Sequence, residues 1–346
     1  MVIHKYGVLI LIALISASLF AQNQTMQIAG VNRNYIVHAP SGMNNPPLVF
    51  CIHGYNMDAA SQQSYTQMDK VADREKFIVV YPNAINKSWN LSGDDDFNFI
   101  IAIIDTIDKK YQIDRSRIYS CGFSQGGFMT FQLACRYSDI FAAIAPTSGN
   151  LQGNCTLKRP MSMRLTFGTN EGFSGGSAAF MNNVTKWIEI CNCPKTPVVT
   201  RPYPSNNPNS VVTRLYYGPC DEGTEVIADS IRTGGHEWPM NTNDRINNSE
   251  ETWAFLRKFS IPPTSVDMKQ PHMKTTNISA RYGSGIVQLK CVKDGCQVRV
   301  VDIKGRNVTT ASVSQNQFAF KDGASGIYFL LLDANNRSEA LRFAIH

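Results

Sequence analysis

Residues 117–136 read RIYSCGFSQGGFMTFQLACR, and the change of texture inside that stretch decides the fold. Residues 117–121 form a short apolar run suited to a strand, residues 125–136 carry apolar side chains at helical spacing, and Gly122-Phe123-Ser124-Gln125-Gly126 joins them as G-x-S-x-G. Such a pentapeptide arises by chance in roughly one chain in ten of this length, so the letters alone carry little. Their placement carries more. A sharp strand-to-helix turn lifts a serine hydroxyl above the end of a sheet, and glycines flank it because side chains there would strike the neighbouring strand and helix.

Outward from this turn the alternation continues. Apolar runs at 47–53, 77–81, 141–146, 164–168 and 225–232 predict strands, and helical patterns at 62–74, 96–111, 178–190 and 250–259 predict the crossovers between them. A hairpin of 26–30 and 34–38 is expected at an antiparallel edge. Residues 22–260 therefore read as an α/β domain of the α/β-hydrolase type, with a mostly parallel central sheet. Residues 261–275 contain Pro262, Pro263 and Pro271 without periodicity and read as a linker. Beyond it, short alternating runs at 286–292, 296–302, 317–320, 327–333 and 340–344, with turn signals at Lys293-Asp294-Gly295 and Lys304-Gly305, predict a small β-sandwich over 276–346.

Residues 1–21 hold His4 and Lys5, an apolar stretch over 8–19 and Ala21 ahead of Gln22, the pattern of a cleaved signal peptide. The apolar stretch is shorter than the roughly 20 residues of a bilayer span. Nine cysteines among 346 residues suit an oxidising compartment. The candidate bridges are Cys193 with Cys220, Cys155 with Cys191 and Cys291 with Cys296, although spacing does not fix connectivity. Cys51, Cys121 and Cys135 lie in apolar segments and are expected as buried thiols. No C-x-x-C spacing of a zinc site occurs, and no metal is expected. Of the net charge of +6, Lys5 gives +1 and residues 261–346, with 11 basic and 6 acidic side chains, give +5; residues 22–260 hold 21 of each, a balance unlike a nucleic-acid-binding surface.

A serine hydroxyl attacks esters only when an imidazole takes its proton, and in this fold the chain order is serine, acid, histidine. His236, in Gly234-Gly235-His236-Glu237-Trp238-Pro239 after the run 225–232, is the expected base for Ser124. The acid is expected just beyond the run 164–168, at Glu171, with Asp221 as the alternative. Oxyanion donors are expected from the backbone amides of Gln125 and of Tyr55, in the turn His53-Gly54-Tyr55, where His53 itself reads as a structural residue. Trp89 and Trp238 are candidate contacts for a sugar or aromatic acyl group.

Taken together these residues resemble the secreted esterases of carbohydrate esterase family one, with the feruloyl esterases and polyhydroxybutyrate depolymerases. The likeness covers most of residues 25–260 and is carried by His53-Gly54, Phe77 to Pro82, Trp89-Asn90, the Ser124 turn, Phe141 to Pro146, Gly168-Thr169 and Gly235-His236 with Trp238-Pro239. The chain departs from that pattern with Glu171 where the family usually has aspartate, and with Tyr55 and Met57 where it often has cysteine and glutamine. The resemblance also implies a disulfide between Cys193 and Cys220. The tail, through Val300 to Arg306, Ser325 to Leu330 and Leu341 to Ala344, resembles the sorting domain of the type IX secretion system. The expectation is a secreted, cofactor-free, monomeric serine ester hydrolase that cleaves feruloyl or acetyl esters on plant cell-wall polysaccharide and is exported by that machinery. A polyhydroxyalkanoate depolymerase is the alternative, and an inactive polysaccharide-binding surface protein is the alternative from another class.

Overall fold

Every residue of Leu48–Ile52 is buried, and the five side chains divide by parity between two apolar clusters. Leu48, Phe50 and Ile52 belong to one, Val49 and Cys51 to the other. The same division holds for Ile78 and Val80 against Val79 and Tyr81. A strand with period-2 side chains can be apolar throughout only if both faces of its sheet are covered, which is why these runs lack a polar alternation.

The computed structural model describes residues 22–173, 175–240, 243–261, 279–283, 286–290, 297–302, 307–315, 317–320, 326–334 and 337–345. The chain divides into two units, Met1–Ile261 and Pro262–His346. In the first, β1 (Gln22–Ile28), β2 (Val31–His38), β3 (Leu48–Ile52), β4 (Ile78–Pro82), β5 (Ile118–Phe123), β6 (Ala143–Thr147), β7 (Ser162–Gly168), β8 (Val198–Thr200), β9 (Val212–Tyr217) and β10 (Val226–Ile231) make a 10-stranded sheet ordered β1-β2-β4-β3-β5-β6-β7-β10-β9-β8. The strands from β4 to β10 in that order run parallel. Antiparallel strands complete both edges.

Helices α1 (Ala59–Thr66), α2 (Met68–Glu75) and α6 (Asn248–Leu256) cover one face through Ala59, Met68, Val71, Trp253 and Leu256. Helices α3 (Asp95–Tyr111), α4 (Gln125–Arg136) and α5 (Gly176–Ile190) cover the other through Ile100, Ile104, Phe131, Leu133, Val184 and Trp187. The helix expected over 62–74 is two helices, because Gln67 adopts a left-handed backbone (φ 50°, ψ 30°) that ends α1 and starts α2. Strands β8 and β9 were not expected. They lie in a stretch punctuated by Pro197, Pro202, Pro204, Pro208 and Pro219, whose turn signals mask them.

Two disulfides form among the described residues, Cys193 with Cys220 and Cys135 with Cys155. The expected Cys155–Cys191 pair is thus corrected, as is the expectation that Cys135 is a free thiol. The segment after β6 runs back along α4, where Gln132 Nε2 donates to the Gln152 carbonyl at 2.8 Å, and this carries Cys155 to the last turn of α4. Cys191 is instead a buried thiol donating to the Met161 carbonyl at 3.4 Å, and Cys51 and Cys121 are buried thiols as expected.

The second unit holds two antiparallel sheets. One is β11 (Ser279–Gly283), β12 (Ile286–Lys290) and β15 (Gln317–Ala319); the other, ordered β14-β13-β16-β17, contains β13 (Gln297–Asp302), β14 (Asn307–Ser312), β16 (Gly326–Ala334) and β17 (Arg337–Ile345). Val298, Val300, Val313 and Phe320 are buried in it. Strands β11 and β14 add to the expected set. The signal peptide at 1–21, most of the linker at 261–275, the candidate pair Cys291–Cys296 and the turns at Lys293-Asp294-Gly295 and Lys304-Gly305 lie outside the described residues.

Candidate active site

Ser124 joins β5 to α4 with φ 55° and ψ −120°, a conformation that side chains rarely adopt. The turn closes so tightly that a Cβ on Gly122 would come 2.4 Å from the Gly126 carbonyl oxygen, and a Cβ on Gly126 would come 2.1 Å from that of Ile52. Glycine at both positions is therefore a steric requirement of this backbone.

The parallel pairing of β10 with β7 brings the segments after both strands to the same edge of the sheet. His236 follows β10, and its Nε2 lies 2.9 Å from Ser124 Oγ although the two residues are 112 positions apart. Glu171 follows β7, and its Oε2 lies 3.2 Å from His236 Nδ1. A carboxylate only accepts, so Nδ1–H donates to Glu171 and Nε2 is left to receive the serine proton. The Glu171 side chain is fully buried, and its second oxygen accepts from the Gly168 amide at 3.0 Å and from the Ser148 hydroxyl. Those two donors fold the longer side chain back over the end of β7, leaving Oε2 for the imidazole.

Asp221, the alternative acid, is exposed and accepts from Asn192 Nδ2 at 3.1 Å. It follows β9, which runs antiparallel to β10, so it emerges at the opposite end of the sheet from His236.

The two residues expected as oxyanion donors both lie on segments next to Ser124. Gln125 is the first residue of α4, where the amide has no intrahelical acceptor. A Cβ on Gly54 would stand 3.2 Å from Ser124 Cβ, so the Gly54-Tyr55 peptide abuts the serine. Among the described residues neither the Tyr55 nor the Gln125 amide has a hydrogen-bond acceptor. The Gln125 side chain ties this region together, accepting from the Trp89 amide at 3.0 Å and donating to the Trp89 carbonyl at 3.3 Å.

The two tryptophans expected at the substrate are corrected. Trp89 is 3% exposed and its indole N–H donates to the His53 carbonyl at 2.9 Å. Trp238 is 1% exposed and its indole N–H donates to Ser249 Oγ at 3.0 Å. Both are internal braces. Phe173 is 63% exposed and its ring lies 4.8 Å from that of His236, and Tyr55, next to Gly54 in the turn against Ser124, is 61% exposed. Phe123, on the strand, lies 4.8 Å from the same imidazole.

Sequence reasoning passed over Ser148 and Phe173. Ser148 could have been found as the polar residue ending β6 beside β7, whereas a lone phenylalanine in a glycine-rich loop carries no signal. His53 is buried, its Nδ1 donating to the Gly54 carbonyl at 2.8 Å and its Nε2 accepting from the Ala84 amide at 3.1 Å. Burial lowers its pKa against the opposing Gly54 bond, so the ring is neutral, and it packs at a tilt against Trp89, 4.9 Å between ring centres.

Residues 33–163 match the family described as esterase PHB depolymerase, and residues 274–346 match the secretion system C-terminal sorting domain. A bifunctional acetylxylan esterase/xylanase of Neocallimastix patriciarum is 31% identical over 239 residues, 67% of this chain and 34% of that protein. Feruloyl esterase B of Piromyces equi is 28% identical over 261 residues, 66% of this chain and 46% of that protein, so the chain spans between a third and a half of these curated relatives. The solved acetyl xylan esterase from Aspergillus awamori is alike in fold, with a TM-score of 0.54 at 15% identity over 68% of this chain and 99% of that one. The first unit thus has the α/β-hydrolase fold and carries the esterase PHB depolymerase match, while the second carries a secretion system sorting domain, making this a secreted or cell-surface protein.

Proposed function

We propose that this protein is a serine carboxylic ester hydrolase in which Ser124 is the nucleophile, His236 the general base and acid, and Glu171 the group that orients the imidazole. One observation carries the reading: the continuous chain from Ser124 Oγ to His236 Nε2 at 2.9 Å and from His236 Nδ1 to Glu171 Oε2 at 3.2 Å. Ser124 Oγ attacks the ester carbonyl carbon as its proton passes to Nε2. The carbonyl oxygen becomes an oxyanion held by the amides of Tyr55 and Gln125, and the positive charge on the imidazole is balanced by Glu171. Collapse breaks the bond to the alcohol, which leaves with the proton from Nε2. Water then attacks acyl-Ser124 by the same proton route and releases the acid.

For substrate, esters of plant cell-wall polysaccharide are supported by the names of the relatives, an acetylxylan esterase/xylanase and a feruloyl esterase. Polyhydroxyalkanoate is the second reading, favoured by the family matched over residues 33–163 and by the exposed Phe173 ring against His236. The type IX secretion machinery is the proposed partner of residues 274–346.

The deciding experiment measures hydrolysis of 4-nitrophenyl acetate, methyl ferulate, acetylated xylan and polyhydroxybutyrate film by the purified protein. The expected result is turnover of the aryl acetate, with ferulate or xylan ahead of film, reduced by about 10⁴-fold or more in Ser124→Ala. Glu171→Gln is expected to lower kcat steeply and Asp221→Asn to leave it near the parent value. An intact protein that cleaves none of the four esters is a binding protein, and this reading then fails.

A further inference from the structure

Both nitrogens of His236 are occupied, Nε2 by Ser124 Oγ at 2.9 Å and Nδ1 by Glu171 Oε2 at 3.2 Å. Bonds to ring nitrogens point outward in the plane of the imidazole, so they leave its faces to other neighbours. Two phenyl rings take those places. Phe123 and Phe173 each stand 4.8 Å from the imidazole, centre to centre, at tilts of 38° and 42°. The two make no ring contact with each other, so they reach the imidazole from different sides.

The sides differ in how they are built. Phe123, the last residue of β5, is 7% exposed and is met edge-on by Tyr65 at 5.6 Å, whose hydroxyl accepts from the Trp238 amide at 2.7 Å. It is a fixed wall. Phe173 is mostly exposed, and holding an apolar ring in water costs solvation free energy. Its loop is nevertheless strapped to the loop that carries the histidine. The Thr169 amide donates to the Ile231 carbonyl at 2.9 Å, the Asn170 amide to the Gly234 carbonyl at 2.9 Å, and the Thr233 amide to Thr169 Oγ1 at 2.8 Å. Beyond the ring, the Gly176 amide donates to the Phe173 carbonyl at 3.1 Å. Phe173 is thus set against His236 by backbone bonds before and after it.

The imidazole becomes positive when it takes the serine proton. The face of a phenyl ring carries the negative side of its quadrupole and attracts a cation within about 6 Å of the ring centre. A neutral imidazole gains less from the same contact, so the rings favour the state that exists only while the reaction is under way. Resting on the reading of His236 as the base, we propose that Phe173 is a positioning residue. Together with Phe123 it clamps the imidazole and stabilises the charge that forms there, acting through His236 and not by touching the ester.

The test measures kcat and KM of the parent protein and of Phe173 variants with methyl acetate and benzyl acetate, which share an acyl group and differ in the size of the alcohol. Phe173→Ala and Phe173→Leu are expected to lower kcat about fivefold on both esters at unchanged KM. Phe173→Trp, which restores a π face, is expected to recover most of that loss. A loss confined to benzyl acetate, or one that appears in KM, means that the ring binds the alcohol, and the proposal falls. Full recovery by leucine means that the ring only fills space, and the proposal falls there too. A parent-like kcat in Phe173→Ala removes the residue from the reaction. Each of these outcomes overturns the clamp while the hydrolase reading stands; a parent protein inert toward both esters and toward 4-nitrophenyl acetate overturns the hydrolase reading itself.

Discussion

His53 stands one peptide away from the proposed oxyanion site. Its Nδ1–H holds the Gly54 carbonyl at 2.8 Å, and the same peptide unit presents the Tyr55 N–H to the proposed oxyanion site. The Ala84 amide fixes the ring from behind at 3.1 Å. A hydrogen bond to a peptide oxygen polarises that peptide and makes its N–H a better donor, and it also fixes the direction in which the N–H points. His53→Leu is expected to lower kcat about tenfold with little change in KM, because the oxyanion exists only on the way through the reaction. His53→Asn, whose side-chain amide can occupy the Nδ1 position, is expected to recover part of the loss. A rise in KM at constant kcat would assign His53 to substrate binding instead. At this scale the sequence pointed to Ser124, His236 and Glu171, which the fold brings into one chain of hydrogen bonds, because each follows a strand in a recognisable order. The tryptophans misled because an indole near a motif has the same letter whether its N–H faces a sugar or, as at Trp89 and Trp238, a protein oxygen. Phe173 was illegible because its meaning is its neighbour His236, which sequence does not adjoin.

Between elements, Asp229 of β10 is the junction. Fully buried, it receives Arg164 Nε of β7 at 2.8 Å and Arg214 of β9 through two nitrogens at 2.7 Å each, while Arg164 Nη2 stands 2.7 Å away off the hydrogen-bond direction. Arg164 continues to Asn248 of α6 at 2.9 Å, and Asn248 donates to Thr147 of β6 at 2.8 Å, the residue before Ser148. Burial alone would raise the pKa of Asp229, but the two guanidiniums outweigh it and the value is lowered. A carboxyl whose pKa is lower folded than unfolded stabilises the fold above its unfolded value of about 3.9, and that stability is lost as pH falls through the folded value. Asp229→Asn is expected to cost about 3–5 kcal/mol at neutral pH by leaving buried guanidiniums unpaired, and to flatten the dependence of Tm on pH below about 4. Equal Tm values for parent and variant at pH 7 would remove Asp229 from this role. Arg214 and its strand went unread because β9 is half-buried from Thr213 to Tyr216 and hemmed by prolines, whereas the fully apolar parallel strands announce themselves. The break at Gln67 was equally silent, since glutamine is an ordinary helix residue and the left-handed turn there answers to the packing of α1 and α2 on the sheet.

Across the molecule, the two described disulfides close intervals of 20 and 27 residues, Cys135 to Cys155 and Cys193 to Cys220. Each is worth about 3 kcal/mol by restricting the unfolded chain, which in a unit of this size corresponds to a Tm loss on the order of 10 °C. Cys155→Ser and Cys135→Ser are expected to show that loss in thermal melts, and Cys191→Ser to show a smaller one, since Cys191 has no sulfur partner. A loss in Cys191→Ser equal to that in Cys155→Ser, with Cys135→Ser near the parent, would restore the pairing first expected from spacing. Sequence could not choose between Cys135 and Cys191 because both end helices, and the deciding fact is the return path of the segment after β6 along α4.

That segment begins at Ser148, which grips Glu171, and ends at Cys155, so the covalent clasp and the carboxylate's anchor share one short length of chain. Sulfur cross-links do not persist in a glutathione-rich cytosol. Newly made polypeptide still inside a reducing compartment thus lacks the clasp that closes the segment carrying the carboxylate's anchor, and is expected to be less stable than the oxidised protein. Oxidation on the way out would harden the protein only after its transit, much as a knot is drawn tight once the rope has passed the eye.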